Sequence, residues 1–142
     1  MITLFHGSPH KIDDKLVPNI PRGSDAFQTQ KAVFFTDIEK AAQCYALMRD
    51  KKRERKGWFI YQDQLHVLKP KSGESYLNRY GYVYVYSTRD YVTDDANPNQ
   101  YAVLKKVKPH HRYVVRYEDI SDNIVEYNDK NKWKKMGDKL LV

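Results

Sequence analysis

The sequence predicts an α+β fold, a stack of antiparallel strands with one main helix and long loops, and three features carry that expectation. Tyr82-Val83-Tyr84-Val85-Tyr86 alternates strictly between aromatic and β-branched side chains, which is strand chemistry with a strand period. Ile38, Ala41, Ala42, Tyr45 and Met48 recur at spacings of three and four, the signature of a helix with one apolar face. No repeat, low-complexity tract or linker interrupts the 142 residues, so residues 1–142 are expected to form one domain.

Taken in order, residues 2–6 are a short apolar strand. From His10 to Gly23, prolines at 18 and 21 and the lack of a clean period predict a loop with room for one helical turn. Residues 31–35 (Lys-Ala-Val-Phe-Phe) form the second strand. Thr36 and Glu39 have the spacing of a capping box at the start of the helix. The run from Arg49 to Lys56 is a solvated last turn and loop, stopped by Gly57. Trp58–Tyr61, Leu65–Leu68, Tyr82–Tyr86, Gln100–Leu104, Tyr113–Tyr117 and Ile124–Tyr127 are the remaining strands. The tail, residues 128–142, is polar and lysine-rich and is expected to fray.

Composition narrows the function classes. With 41% apolar and 30% charged residues, the chain has a core and is not disordered by composition. No apolar run approaches the roughly 20 residues that span a bilayer, so no membrane partner is expected. The N-terminus lacks a basic region and meets His6 too soon for a signal peptide. Cys44 is the lone cysteine, which points to a reducing, cytoplasmic setting and to a buried helix residue rather than a nucleophile. The net charge of +7 is spread among acidic residues and reads as a basic surface; attraction to polyanions is the functional alternative. His110 and His111 would point to opposite faces of a strand, and no Cys or carboxylate cluster has zinc spacing, so no metal site is expected.

The chemistry concentrates in three blocks. His6-Gly7-Ser8 ends the first strand. Ala32-Val33-Phe34-Phe35-Thr36-Asp37 ends the second and opens the helix, with Tyr45 eleven residues after Phe34. Asn99-Gln100-Tyr101-Ala102-Val103 precedes Tyr113-Val114-Val115. A flat aromatic amide needs such a set: a backbone edge for the amide, rings to sandwich it, and an imidazole for a ribose hydroxyl. In this order and with this internal spacing, the blocks resemble the ADP-ribosyltransferase superfamily, specifically its poly-ADP-ribose polymerase branch and the small bacterial transferases that modify rifamycin.

That resemblance implies an ADP-ribosyltransferase-like split antiparallel sheet, NAD as substrate and nicotinamide as leaving group. It implies that His6 exchanges a hydrogen bond with a ribose hydroxyl and that Gly7 offers its N–H and C=O to the carboxamide. Phe34 and Tyr45 would stack on the two faces of the ring, and Ser8 would hold the amide oxygen or end the strand. Two positions depart from the family pattern. Phe34 stands where the family has tyrosine, which keeps the ring and loses a hydroxyl. Gln100 stands where the family has glutamate, and an amide supplies hydrogen bonds without charge or basicity. Asp94 and Asp95, in a turn-forming stretch, are the nearest substitute carboxylates; Glu118 and Glu126 are more remote.

The expected activity is therefore mono-ADP-ribosyl transfer to a protein, nucleic acid or small molecule, with a toxin-like NAD glycohydrolase as its variant. One alternative is a catalytically inactive NAD- or ADP-ribose-binding or protein-interaction domain of the same fold. Another is a basic nucleic-acid-binding domain, centred on Tyr80–Tyr86 with Arg79 and Arg89.

Overall fold

A computed structural model describes residues 1–19, 30–48, 58–69 and 77–140. Its strands are β1 (Ile2–Ser8), β2 (Val33–Thr36), β3 (Trp58–Tyr61), β4 (Gln64–Leu68), β5 (Tyr80–Thr88), β6 (Val92–Thr93), β7 (Gln100–Val103), β8 (His111–Arg116) and β9 (Ile124–Tyr127). Its helices are α1 (Glu39–Ala46), α2 (Tyr117–Ile120) and α3 (Lys130–Leu140). A six-stranded sheet runs β6-β7-β2-β1-β5-β8 and is antiparallel throughout. A second sheet runs β3-β4-β9, with β3 and β4 antiparallel and β4 and β9 parallel. The chain is thus mixed α+β and mostly antiparallel.

The tyrosine-valine alternation of β5 works because both faces of the large sheet are covered. Val83 is turned toward α1, while Tyr84, its neighbour, is buried on the opposite face. On the α1 side, Ala42, Cys44, Ala46, Leu47 and Met48 meet Val83 and Val115 below and Leu65 and Val67 of the small sheet above. The helix is therefore sandwiched between the two sheets. On the other side, Leu4, Val33, Phe35, Tyr84 and Val103 are capped by Leu16 and Val107. Those two residues exchange backbone hydrogen bonds of 2.7 and 2.9 Å, which holds the His10–Asn19 segment over the sheet.

Glycine decides how close α1 comes. A Cβ at Gly7 would collide with the Ala42 carbonyl oxygen and lie 2.8 Å from the Ala46 nitrogen. A Cβ at Gly81 would collide with the Ala46 carbonyl oxygen in the same way. Two bare Cα atoms thus let the helix backbone rest directly on β1 and β5.

Several expectations are corrected. The Thr36–Glu39 capping box does not form. Thr36 Oγ1 accepts from the Ile38 N–H at 3.1 Å, and Glu39 accepts instead from the Tyr113 hydroxyl at 2.7 Å. Met48 is fully buried but lies beyond the helix, bridged to Leu77. Tyr117 does not extend β8; it opens α2. Residues 130–140 of the tail form the longest described helix, so α1 is not the sole main helix. Trp133 anchors it: its indole N–H donates to the His66 carbonyl at 3.2 Å and its ring lies 5.9 Å from Phe59. The Asp129 carboxylate accepts from the Asn131 N–H at 2.9 Å in the turn before the helix. The charge run 49–56 and its Gly57 stop lie outside the described residues. No helix among the described residues is long and apolar enough to cross a membrane.

Candidate functional site

The three strands that carry the motif blocks are neighbours: β7, β2 and β1. Phe5 pairs with Thr36, and Thr36 pairs with Gln100, so these three residues form one row across the sheet. Past that row β1 continues against β5 as far as Ser8 and Tyr82. Against β2, the described ladder consists of the Phe5–Thr36 pair. The β1–β2 ladder therefore has an opening, a stretch without strand pairing, beside His6, Gly7 and Ser8.

His6 bridges that opening. Its Nδ1 lies 2.6 Å from the Phe34 carbonyl oxygen. A carbonyl can only accept, so Nδ1 carries the proton, and in the neutral ring Nε2 is the accepting nitrogen. The imidazole is edge-on to Phe35 at 5.8 Å and tilted against Tyr84 at 6.2 Å. Tyr84 is itself fixed: its hydroxyl accepts from the Ile12 N–H at 2.6 Å and donates to the His10 carbonyl at 2.9 Å. Burial raises the phenol's pKa, which keeps it protonated and able to make both bonds.

The other sequence-selected residues occupy distinct places. Gly7 is buried and faces α1, and the helix backbone takes the space above its Cα. Ser8 is buried, and its hydroxyl accepts from the His10 N–H at 3.1 Å, which closes a turn at the end of the strand. Phe34 is half-buried and paired with Ala102. Tyr45, on α1, presents an edge-to-face contact to Trp58 at 5.6 Å. Gln100 is half-buried at the start of β7. Asp94 is buried beside it, at the end of β6, where its Oδ1 accepts from the Ala96 N–H at 2.9 Å in a turn; Asp95 is exposed. Glu126 lies in another part of the fold, held by the Tyr117 hydroxyl at 2.9 Å and by Lys69 at 3.1 Å. The structure thus joins the His6 imidazole to the Phe34 backbone carbonyl and ranges Gln100 and Asp94 on the neighbouring strands.

Two features escaped sequence reading. Asp37, at the end of β2, accepts from the Tyr101 hydroxyl at 3.2 Å, while its other oxygen is buried with no hydrogen-bond partner among the described residues. Burial, and then Asp37, raises the pKa of Tyr101. Tyr113 donates to Glu39 and accepts from Gln43 at 3.1 Å; burial and then Glu39 push its phenol up to about 12. The Thr36-Asp37-Ile38-Glu39 stretch was the only signal for either, and it reads equally as a helix start. Cys44 is fully buried, and burial followed by the Asp63 charge pushes its thiol up to about 12, so it is no nucleophile at neutral pH. Among the described residues, no group of three or more His, Cys, Asp or Glu side chains has the arrangement to hold a metal ion. A cavity of about 540 Å³ opens away from His6, at the first residues of β5.

No protein-family model, curated protein or solved structure matches the chain.

Proposed function

We propose that the chain is an ADP-ribosyltransferase-like domain that binds NAD at the opening between β1 and β2 and passes its ADP-ribosyl group to an acceptor. The hydrogen bond from His6 Nδ1 to the Phe34 carbonyl carries this reading. It ties the first two motif blocks together at the point where the sheet parts, and it orients an imidazole whose accepting nitrogen suits a ribose hydroxyl. The adjacency of β1, β2 and β7 adds the third block.

In this reading the bond between the ribose anomeric carbon and the pyridinium nitrogen breaks, and its electron pair leaves with nicotinamide. The sugar passes through an oxocarbenium-like state, and the acceptor's nucleophile forms the new bond as its proton is lost to solvent. His6 holds the nicotinamide ribose. The Gly7 backbone meets the carboxamide, with Ser8 at the end of the strand. Phe34 and Tyr45 supply the aromatic planes. Gln100 hydrogen-bonds the 2′-hydroxyl, and Asp94 and Asp95 are the closest carboxylates to that strand start.

A second reading, a catalytically inactive NAD- or ADP-ribose-binding domain, is favoured by the uncharged amide at Gln100 and by the commitment of Asp94 to its own turn. Nicotinamide release from NAD by the purified chain and by His6→Ala, with NAD binding followed by calorimetry, separates them. Turnover that is lost in His6→Ala supports transfer or hydrolysis. Binding without turnover supports the inactive domain, and absence of both overturns the two readings together.

A further inference from the structure

The cavity of about 540 Å³ sits at the open end of the β5–β8 ladder, where residues of both sheets meet. This volume lies within the roughly 300–1,000 Å³ of small-molecule sites. Arg79, Tyr80, Arg116, Tyr117, Glu118 and Glu126 are in its lining. Tyr80 pairs with Arg116, and the Tyr117 N–H donates to the Arg79 carbonyl at 2.8 Å, so the ladder itself brings both arginines to the same rim.

Among the described residues, neither Arg79 nor Arg116 forms an ion pair. Arg112, on the same strand as Arg116, behaves differently: it bonds Asp13 at 3.1 Å and the Ile12 carbonyl at 3.0 Å. Of the two acids, Glu126 is neutralised by Lys69 and occupied by Tyr117. Arg79, Arg116 and Glu118 thus line the cavity, with no ion pair to any of them among the described residues. Beside them the Tyr80 ring is 52% exposed and is braced edge-on by Tyr82 at 6.2 Å.

Guanidinium groups match phosphate oxygens in pairs, an exposed phenol ring stacks on a nucleobase, and a carboxylate accepts from sugar hydroxyls. We propose that this cavity binds a nucleoside phosphate, with its phosphate on Arg79 and Arg116, its base on Tyr80 and its sugar toward Glu118. The site is independent of the dinucleotide reading of His6. The chain's net charge of +7 draws such anions toward it.

Calorimetric titration of the full chain with adenosine monophosphate and with a short single-stranded oligonucleotide, each over a range of salt, tests this. Saturable binding is expected. Tyr80→Ala weakens it about tenfold or more, the scale of a lost base-stacking contact. Each of Arg79→Gln and Arg116→Gln lowers the salt slope of the oligonucleotide by about one. Lys106→Gln, an exposed residue between β7 and β8, leaves both unchanged. Equal affinity for the two ligands identifies the free nucleotide, and a much tighter oligonucleotide identifies a nucleic-acid strand. Lack of saturable binding of both at low salt overturns the proposal, as does binding that survives loss of Tyr80 and both arginines.

Discussion

The backbone of Ala42 rests directly on Gly7, with its carbonyl oxygen in the position that any side chain at residue 7 would need. The glycine of the His6-Gly7-Ser8 step therefore has a packing cause as well as the chemical one proposed for it.

Gly7→Ala is expected to lose several kcal/mol, about 3 or more, because the obstacle is helix backbone and cannot rotate away. Gly137→Ala is the contrast. A Cβ there would meet the Phe59 ring edge at 3.3 Å, a side-chain atom able to shift by a few tenths of an ångström. Helix propensity then favours alanine by up to about 1 kcal/mol. Urea unfolding of the two variants reads both signs.

Under the proposed function, His6→Ala is expected to abolish nicotinamide release, and it should cost about 1 kcal/mol of stability through loss of the bond to the Phe34 carbonyl. Under the same reading, Gln100→Glu is expected to raise turnover about a hundredfold, since it places a carboxylate at the first residue of β7 itself. Long-range nitrogen–proton NMR of the imidazole checks the geometry separately: the proton should reside on Nδ1.

Acid should weaken the contact between α3 and the small sheet. His66 is buried, its Nδ1 is 2.8 Å from the Tyr127 hydroxyl, and its Nε2 is buried without a partner among the described residues. Burial holds its pKa below the usual imidazole value. The unfolded chain takes up that proton near pH 6.5 and the folded chain only lower, so stability is complete above about 6.5 and falls as pH drops through it. The urea midpoint should decline from about pH 8 to about pH 5, and His66→Phe should flatten part of that slope.

The β3–β4 turn should be improvable. Gln62 and Asp63 have φ of 47° and 65°, both left-handed, in a two-residue hairpin connection. Replacing them with Asn-Gly, which suits two positive φ values, should raise stability by about 1 kcal/mol without altering the site. Thermal unfolding measures it.

The sequence made some of this legible and hid the rest for physical reasons. β5 was readable because an uninterrupted tyrosine-valine alternation has one structural solution. β6 was not, because Val92 and Thr93 are too few to show any period. α3 was misread because five lysines surround Trp133, Met136 and Leu140, and the apolar face is too sparse to stand out by composition. The row Phe5–Thr36–Gln100 needed the pairing register, which depends on contacts between residues far apart in the chain. Glu39 matched a capping box in spacing, yet a phenol 74 positions away competes for it and wins.

With no cushion of side chains at Ala42 and Ala46, α1 has nothing to slide on. Its upper side is locked to Leu65 and Val67 by the same core. One helix is thus the shared support of both sheets, in backbone contact with the large one and in side-chain contact with the small one.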